Sequence, residues 1–248
     1  MRGPSRVAAT IAAAAVLLSP IAISAASLKL YPVRIVLTPD RPVQTMTIHN
    51  ESAETFRGQM RLFAWRQVDG KDSLEETRDV LANPPLFEIA PRGDQLARFG
   101  LRTQAGAIEK SYRVLVQEIP NGRPKNPGEL QTILRISVPI FVPPTKATPA
   151  KLVWRLSPSR SGQVVVDIQN AGAVHVQINR LVLKQGGKPI GQLDAAKYLL
   201  PGSSYRGTLN VSKVLQPRTS VVLDAQTDQG DISATIVTDT APSNAGRP

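Results

Sequence analysis

The sequence of 248 residues predicts an all-β protein built as two β-sandwich domains. Three observations lead there. Apolar and polar residues alternate along short segments, turn-forming residues separate the segments, and a proline-rich stretch divides the chain into two parts of sandwich size. The alternation is clearest in Val43-Gln-Thr-Met-Thr-Ile-His-Asn50, Ser111-Tyr-Arg-Val-Leu-Val-Gln117 and Val164-Val-Val-Asp-Ile-Gln-Asn170. A period of two sends successive side chains to opposite faces of a strand, so each run reads as a half-buried strand. Thr38-Pro39-Asp40, Asn83-Pro84-Pro85, Pro91-Arg92-Gly93-Asp94 and Asn121-Gly122 supply the turns between such runs. No long amphipathic helix is visible, and Asp79 to Ala82 reads as one isolated turn.

The two ends and the middle set the domain limits. Met1 to Ala26 has the form of a secretory leader: Arg2 and Arg6 open it, an apolar stretch from Val7 to Leu18 follows, and Ser24-Ala25-Ala26 offers small residues for cleavage. No later segment is long and apolar enough to cross a membrane, so the expected mature chain is exported, with no stable membrane insertion. Val142-Pro-Pro-Thr-Lys-Ala-Thr-Pro149 carries three prolines, which donate no ladder hydrogen bonds and stiffen an extended link. The expected units are a first domain over 27–143, a hinge over 144–150, a second domain over 151–240 and a disordered tail over 241–248. Limited contact between the domains is expected. An internal echo accompanies this division. Met46-Thr-Ile-His-Asn50 followed by Gly58-Gln-Met-Arg-Leu62 parallels Val166-Asp-Ile-Gln-Asn170 followed by Val176-Gln-Ile-Asn-Arg180, each a strand, an asparagine corner and a strand.

Composition closes off several kinds of chemistry. The 42% hydrophobic content supplies a core, and the lack of cysteine rules out disulfides, thiolate nucleophiles and cysteine-based zinc sites. The net charge is +11, or 11 − 2 = +9 without Arg2 and Arg6. These charges alternate with apolar residues instead of forming runs, so they read as a solvated basic face open to an acidic protein partner, with nucleic acid disfavoured by export. His49 and His175 are the two histidines; they occupy similar positions in the two halves and read as polar residues on strand faces. Glycine-rich phosphate loops, nucleophile elbows and paired-histidine zinc motifs are lacking, so no enzyme activity, cofactor or metal is expected. Arg92-Gly93-Asp94 after Pro91 reads as a plain turn.

The segment with most to say about function is Leu130-Gln-Thr-Ile-Leu-Arg-Ile-Ser-Val-Pro-Ile-Phe-Val142. Leu130, Leu134, Ile136, Val138 and Ile140 share one face, while Ile133 and Phe141 make the other partly apolar. Two readings stand: a central strand buried on both sides, or an edge strand whose apolar face awaits another protein's core.

Several segments in order resemble the PapD-like chaperones of chaperone–usher pilus assembly. In the first half these are Leu28-Lys-Leu-Tyr-Pro-Val-Arg-Ile-Val-Leu37, Ile48-His-Asn50, Trp65, Asn83 to Pro91, Gln95-Leu-Ala-Arg98, Tyr112-Arg113, Glu118-Ile-Pro120 and Val138-Pro-Ile-Phe-Val142. In the second half they are Ile168-Gln-Asn170, Leu199-Leu-Pro-Gly202 and the strand from Ile232 to Val237. The resemblance implies two immunoglobulin-like domains around a cleft and a periplasmic location. It also implies a function: stabilising pilin subunits by donor-strand complementation and delivering them to an outer-membrane usher. The donor residues would be Leu130, Leu134, Ile136 and Val138. The pilin carboxylate would be anchored by Arg34, with Arg98 and Arg113 as candidates for the second cation, because the family's usual donor-strand lysine is replaced here by Pro139. The Pro-Ile-Phe ending resembles the archaic, spore-coat-U-associated branch. The alternative is an exported structural or surface-fibre subunit, which would show an N-terminal donor extension of alternating apolar residues, and none is visible.

Overall fold

The computed structural model describes residues 27–120, 132–146, 148–158 and 162–239. The leader, the loop from Asn121 to Gly128, Leu130 and the tail over 241–248 lie outside the described residues. Every regular element described is a strand. The first domain contains β1 (Leu28–Tyr31), β2 (Ile35–Val36), β3 (Val43–Asn50), β4 (Phe56–Val68), β5 (Lys71–Glu76), β6 (Val80–Asn83), β7 (Leu86–Ile89), β8 (Asp94–Leu101), β9 (Lys110–Glu118) and β10 (Arg135–Val142). The second contains β11 (Leu152–Pro158), β12 (Gln163–Asn170), β13 (Val176–Gln185), β14 (Lys188–Leu199), β15 (Ser204–Val211), β16 (Ser220–Thr227) and β17 (Gly230–Val237).

In the first domain, a sheet in the order β1-β3-β8-β6 faces a sheet in the order β2-β10-β9-β4-β5, with β7 paired to β4. Alternation decides which side chains meet between them. Met46 and Ile48 of β3, with Ala97 and Phe99 of β8, meet Met60, Val114, Val116, Val138 and Ile140 from the other sheet, all buried. The second domain is one seven-stranded sheet, β11-β12-β15-β14-β13-β16-β17. It curls until its margins meet, where the Asp239 N–H donates to Leu156 O at 2.8 Å, and Leu156, Ile168, Ile178 and Leu223 fill the interior. Both units are the β-sandwiches that the sequence predicts, of the immunoglobulin-like kind that the resemblance implies.

The internal echo has a physical basis. Asn50 and Asn170 end β3 and β12 and are fully buried. The Asn50 amide donates to Glu54 O (2.7 Å) and its carbonyl accepts from the Ser52 N–H (3.0 Å). The Asn170 amide donates to Val174 O (2.8 Å) and its carbonyl accepts from the Gly172 N–H (2.9 Å). In each corner one side chain satisfies backbone groups that the turn takes out of the ladder. Two readings are corrected. Asp79 to Ala82 is not an isolated turn but runs into β6, because Val80 reaches the core and its strand pairs with β8. Contact between the domains is also extensive, as described below.

Candidate functional site

β10 pairs along its whole length with β9, from Arg135↔Gln117 to Val142↔Lys110. On its other side, β2 covers only Ile140 and Phe141. Two hydrogen bonds fix which backbone groups point where. The Glu118 N–H donates to Leu134 O (2.9 Å), and the Leu37 N–H donates to Phe141 O (2.9 Å). Antiparallel ladders alternate, so even-numbered residues of β10 bond to β9 and odd-numbered ones face the opposite margin. Arg135 and Ser137 therefore present N–H and C=O groups to a margin that no strand occupies among the described residues. Pro139 has the same parity, so its missing N–H takes nothing from the β9 ladder; edge strands tolerate proline for this reason.

The faces of β10 divide the predicted donor residues. Leu134 and Ile136 are half-buried against the first domain's core, whereas Val138 is 3% exposed and sits within it. Leu134 and Ile136 thus leave part of their apolar surface uncovered, whereas Val138 is enclosed within its own domain. On the opposite face, Phe141 is buried in a junction cluster with Trp65, Leu200 and Tyr198, two from each domain.

The three candidate arginines fall in two places. Arg98 is exposed on β8, in the four-stranded sheet, where it pairs in register with Thr45 and Asn83. The expectation that it joins Arg34 is corrected by the topology: β8 belongs to the other sheet of the sandwich. Arg34, before β2, and Arg113, on β9, both reach Tyr198 of β14, with guanidinium carbons 5.9 and 5.4 Å from its ring centre. Arg113 is the register partner of Pro139, so its side chain leaves the same sheet face one strand away. It lies 3.6 Å over the Trp65 ring and makes no ion pair among the described residues. Burial pulls its pKa below the ordinary guanidinium value, although Asp72 and Tyr198 oppose the shift. A cleft of about 610 Å³ opens beside it, lined by Trp65, Lys71, Arg113, Tyr198 and Arg206 among others.

Arg34 is held from the second domain. Its Nη1 lies 2.8 Å from Asp228 Oδ2, and its Nη2 donates to Gln177 Oε1 (3.0 Å) and approaches the Tyr198 hydroxyl (3.5 Å). Burial opposes its charge, but Tyr198 and Asp228 outweigh burial and raise the pKa. Gln67 clamps the same region at both ends of its amide: Nε2 donates to Tyr198 O and Oε1 accepts from the Leu200 N–H, each at 3.0 Å. The Glu109 N–H donates to Ala173 O (2.9 Å). His175, read from the sequence as a strand-face residue, is buried at this junction between Glu109 and Asp228. Such a network overturns the expectation of limited contact.

The arrangement can therefore add a foreign strand along Arg135–Pro139, cover apolar side chains of that partner with Leu134 and Ile136, and receive an anion near Arg34 and Arg113. Residues 27–148 match the family described as pili and flagellar-assembly chaperone, PapD N-terminal domain. Residues 147–236 match pili assembly chaperone PapD, C-terminal domain. The fold is similar to that of the CsuC–CsuE chaperone–tip adhesion subunit complex from archaic Csu pili of Acinetobacter baumannii, with a TM-score of 0.61, 18% identity, and coverage of 86% of this chain and 99% of that one. It is also similar to the E. coli chaperone DraB (TM-score 0.56, 19% identity, 85% and 99% covered). The Salmonella enterica SafA pilin–SafB chaperone complex gives a TM-score of 0.56 at 17% identity, with 85% and 96% covered. A search of curated protein sequences gives no significant match.

Proposed function

Because the chain belongs to the PapD family of pili assembly chaperones, we propose that it works in the periplasm, lends β10 to newly exported pilin subunits and passes them to an outer-membrane usher. The observation that carries the reading is the margin of β10 that no strand occupies among the described residues, beside half-buried Leu134 and Ile136. A pilin lacking one strand exposes an apolar groove and unpaired edges that would otherwise aggregate. Strand addition supplies ladder hydrogen bonds of about 0.5–1.5 kcal/mol each, net, and covers that groove.

The pilin carboxylate is assigned to Arg34 and Arg113. Two cations are needed because drawing an anion out of water is expensive unless several donors receive it. Arg113 supplies the second charge from β9, in place of a cation at Pro139. Arg34 is already tied to Asp228, so Arg34→Ala should lower the melting temperature as well as capture. Arg113 carries no such tie among the described residues and gives the cleaner test. Losing one partner of a buried charge pair typically costs about 2–5 kcal/mol. Arg113→Ala should therefore reduce pilin capture by more than tenfold in a periplasmic pull-down, with the fold intact, while Arg98→Ala stays within about twofold of wild type. Normal capture by Arg113→Ala, or loss of capture by Arg98→Ala alone, would remove the two-arginine anchor.

A further inference from the structure

The junction between the domains holds a four-residue ionic cluster. Glu109 precedes β9, Arg34 precedes β2, His175 precedes β13 and Asp228 lies in the β16–β17 turn, so each domain contributes two. His175 Nδ1 lies 2.7 Å from Glu109 Oε1, and the same oxygen accepts from the His175 N–H at 3.0 Å. On the other side of the ring, Nε2 lies 3.5 Å from Asp228 Oδ2, an ion-pair contact outside hydrogen-bond geometry, and that oxygen also faces Arg34 Nη1 at 2.8 Å. The Gln177 N–H fixes Asp228 Oδ1 at 2.8 Å, and the Gln229 amide holds the His175 carbonyl. The side chains of His175, Glu109 and Asp228 are 9, 4 and 11% exposed.

Ring chemistry decides the charge. A neutral imidazole has one N–H and one lone pair. Both nitrogens here face carboxylate oxygens, so either tautomer sets a lone pair against a negative oxygen. Only the doubly protonated ring meets both. Phe141 of β10 adds to this, stacked on the ring with centroids 3.5 Å apart and planes 7° from parallel; a cation over an aromatic face is attracted to it. Among the described residues, the titratable and charged groups facing the ring are Glu109 and Asp228, with Arg34 on the far side of the Asp228 carboxylate, and, at 5.8 Å between ring centres, Tyr198. With His175 charged, two cations balance two anions. With it neutral, one carboxylate is buried without its counter-charge.

We propose that the charged ring of His175 is the pin that fixes the angle between the two domains, and that the cleft slackens when the ring gives up its proton. The pin acts on the domain angle whether or not a client is bound; its effect on capture rests on the chaperone reading above. His175 is a positioning residue: it touches Phe141 and Asp228, and through them it sets β10 and Arg34. The direction of titration agrees. Burial works against the charged ring, but the contacts with Asp228 and Glu109 outweigh it and raise the pKa above the ordinary value. A group raised in the folded state adds stability below the unfolded value, about 6.5, and loses it as pH rises through the folded value. The cluster should therefore hold below the unfolded value and loosen as pH rises through the higher folded one.

The test uses the free chaperone. The two histidines of the chain give two imidazole signals in an NMR titration, and a spin label on each domain reports the interdomain distance. The His175 signal should titrate above the value of free imidazole, and the wild-type distance distribution should broaden between pH 6 and pH 9. His175→Gln should be broad at both. Glu109→Gln, which leaves the ring in place, should move the broadening at least one pH unit lower. Titration of His175 at or below pH 6.5, or a narrow, pH-independent distribution in His175→Gln, overturns the pin. Pilin pull-down is scored separately. Broad distances with normal capture would leave the pin standing and count against the cleft as the capture site. Lost capture with unchanged distances would do the reverse.

Discussion

Leu134 and Ile136 allow a worked estimate of what strand donation contributes. Fully burying an aliphatic side chain of this size is worth about 1.5–3 kcal/mol. Both residues are already half-buried against their own core, so roughly half of that, about 0.8–1.5 kcal/mol each, is left for a partner. Replacing both with Ser should weaken capture by about 1.5–3 kcal/mol, or roughly 10- to 150-fold. The same change removes their existing packing, so the chaperone should also lose about 1–3 kcal/mol of stability. Val138→Ser is the contrast. It leaves a polar hydroxyl in a site that is 3% exposed and should damage folding without a separate effect on binding. The assay is co-expression with a tagged pilin, normalised to folded chaperone, alongside urea unfolding of each variant. If Leu134→Ser/Ile136→Ser captures pilin at the wild-type level while losing stability, this face is domain core alone and the donor assignment falls.

Two further outcomes follow from groups already located. Asn50→Ala and Asn170→Ala each strip several backbone partners from a buried corner, so each should cost about 2–4 kcal/mol, read as a lower urea midpoint; a change under about 0.5 kcal/mol would mean that the corners are not structural keystones. Burial works to raise the pKa of Asp228, but His175, the Gln177 N–H and Arg34 hold it below the ordinary carboxylate value. Its stabilisation is present above the unfolded value of about 3.9 and is lost as pH falls through the lower folded one. Asp228→Asn should therefore unfold at a midpoint that changes less between pH 6 and pH 3 than wild type does, and equal slopes would sink the linkage.

The strands were legible because their burial is one-sided: β3, β9 and β12 alternate along nearly every residue. The asparagine corners were legible as an echo for the same reason, since both turns need the same side chain at the same place. Val80 was misread because a four-residue edge strand is too short to show a period. Arg98 and Arg113 could not be told apart in sequence; both alternate on strands, and only the pairing of β8 with β3 and of β9 with β10 puts them in different sheets. His175 was set beside His49, yet counting from the corners would have separated them. It lies 175 − 170 = 5 residues after Asn170, and the residue five after Asn50 is Thr55. His49 is instead paired with exposed Asp94 on the outer sheet.

Two properties of the surrounding solution usually act together on charged contacts, and the seclusion of the domain junction separates them. Dissolved salt weakens attraction between ions it can approach, over a Debye length of about 10 Å at 0.1 M, and reaches enclosed pairs far less. Exposed pairs such as Arg206–Asp167 and Arg180–Asp194 are open to that weakening. The Glu109–His175–Asp228 row is not, at 4, 9 and 11% exposure. A protein meets whatever ionic strength its medium holds. The geometry of this one is insulated from that variable and left answerable to acidity.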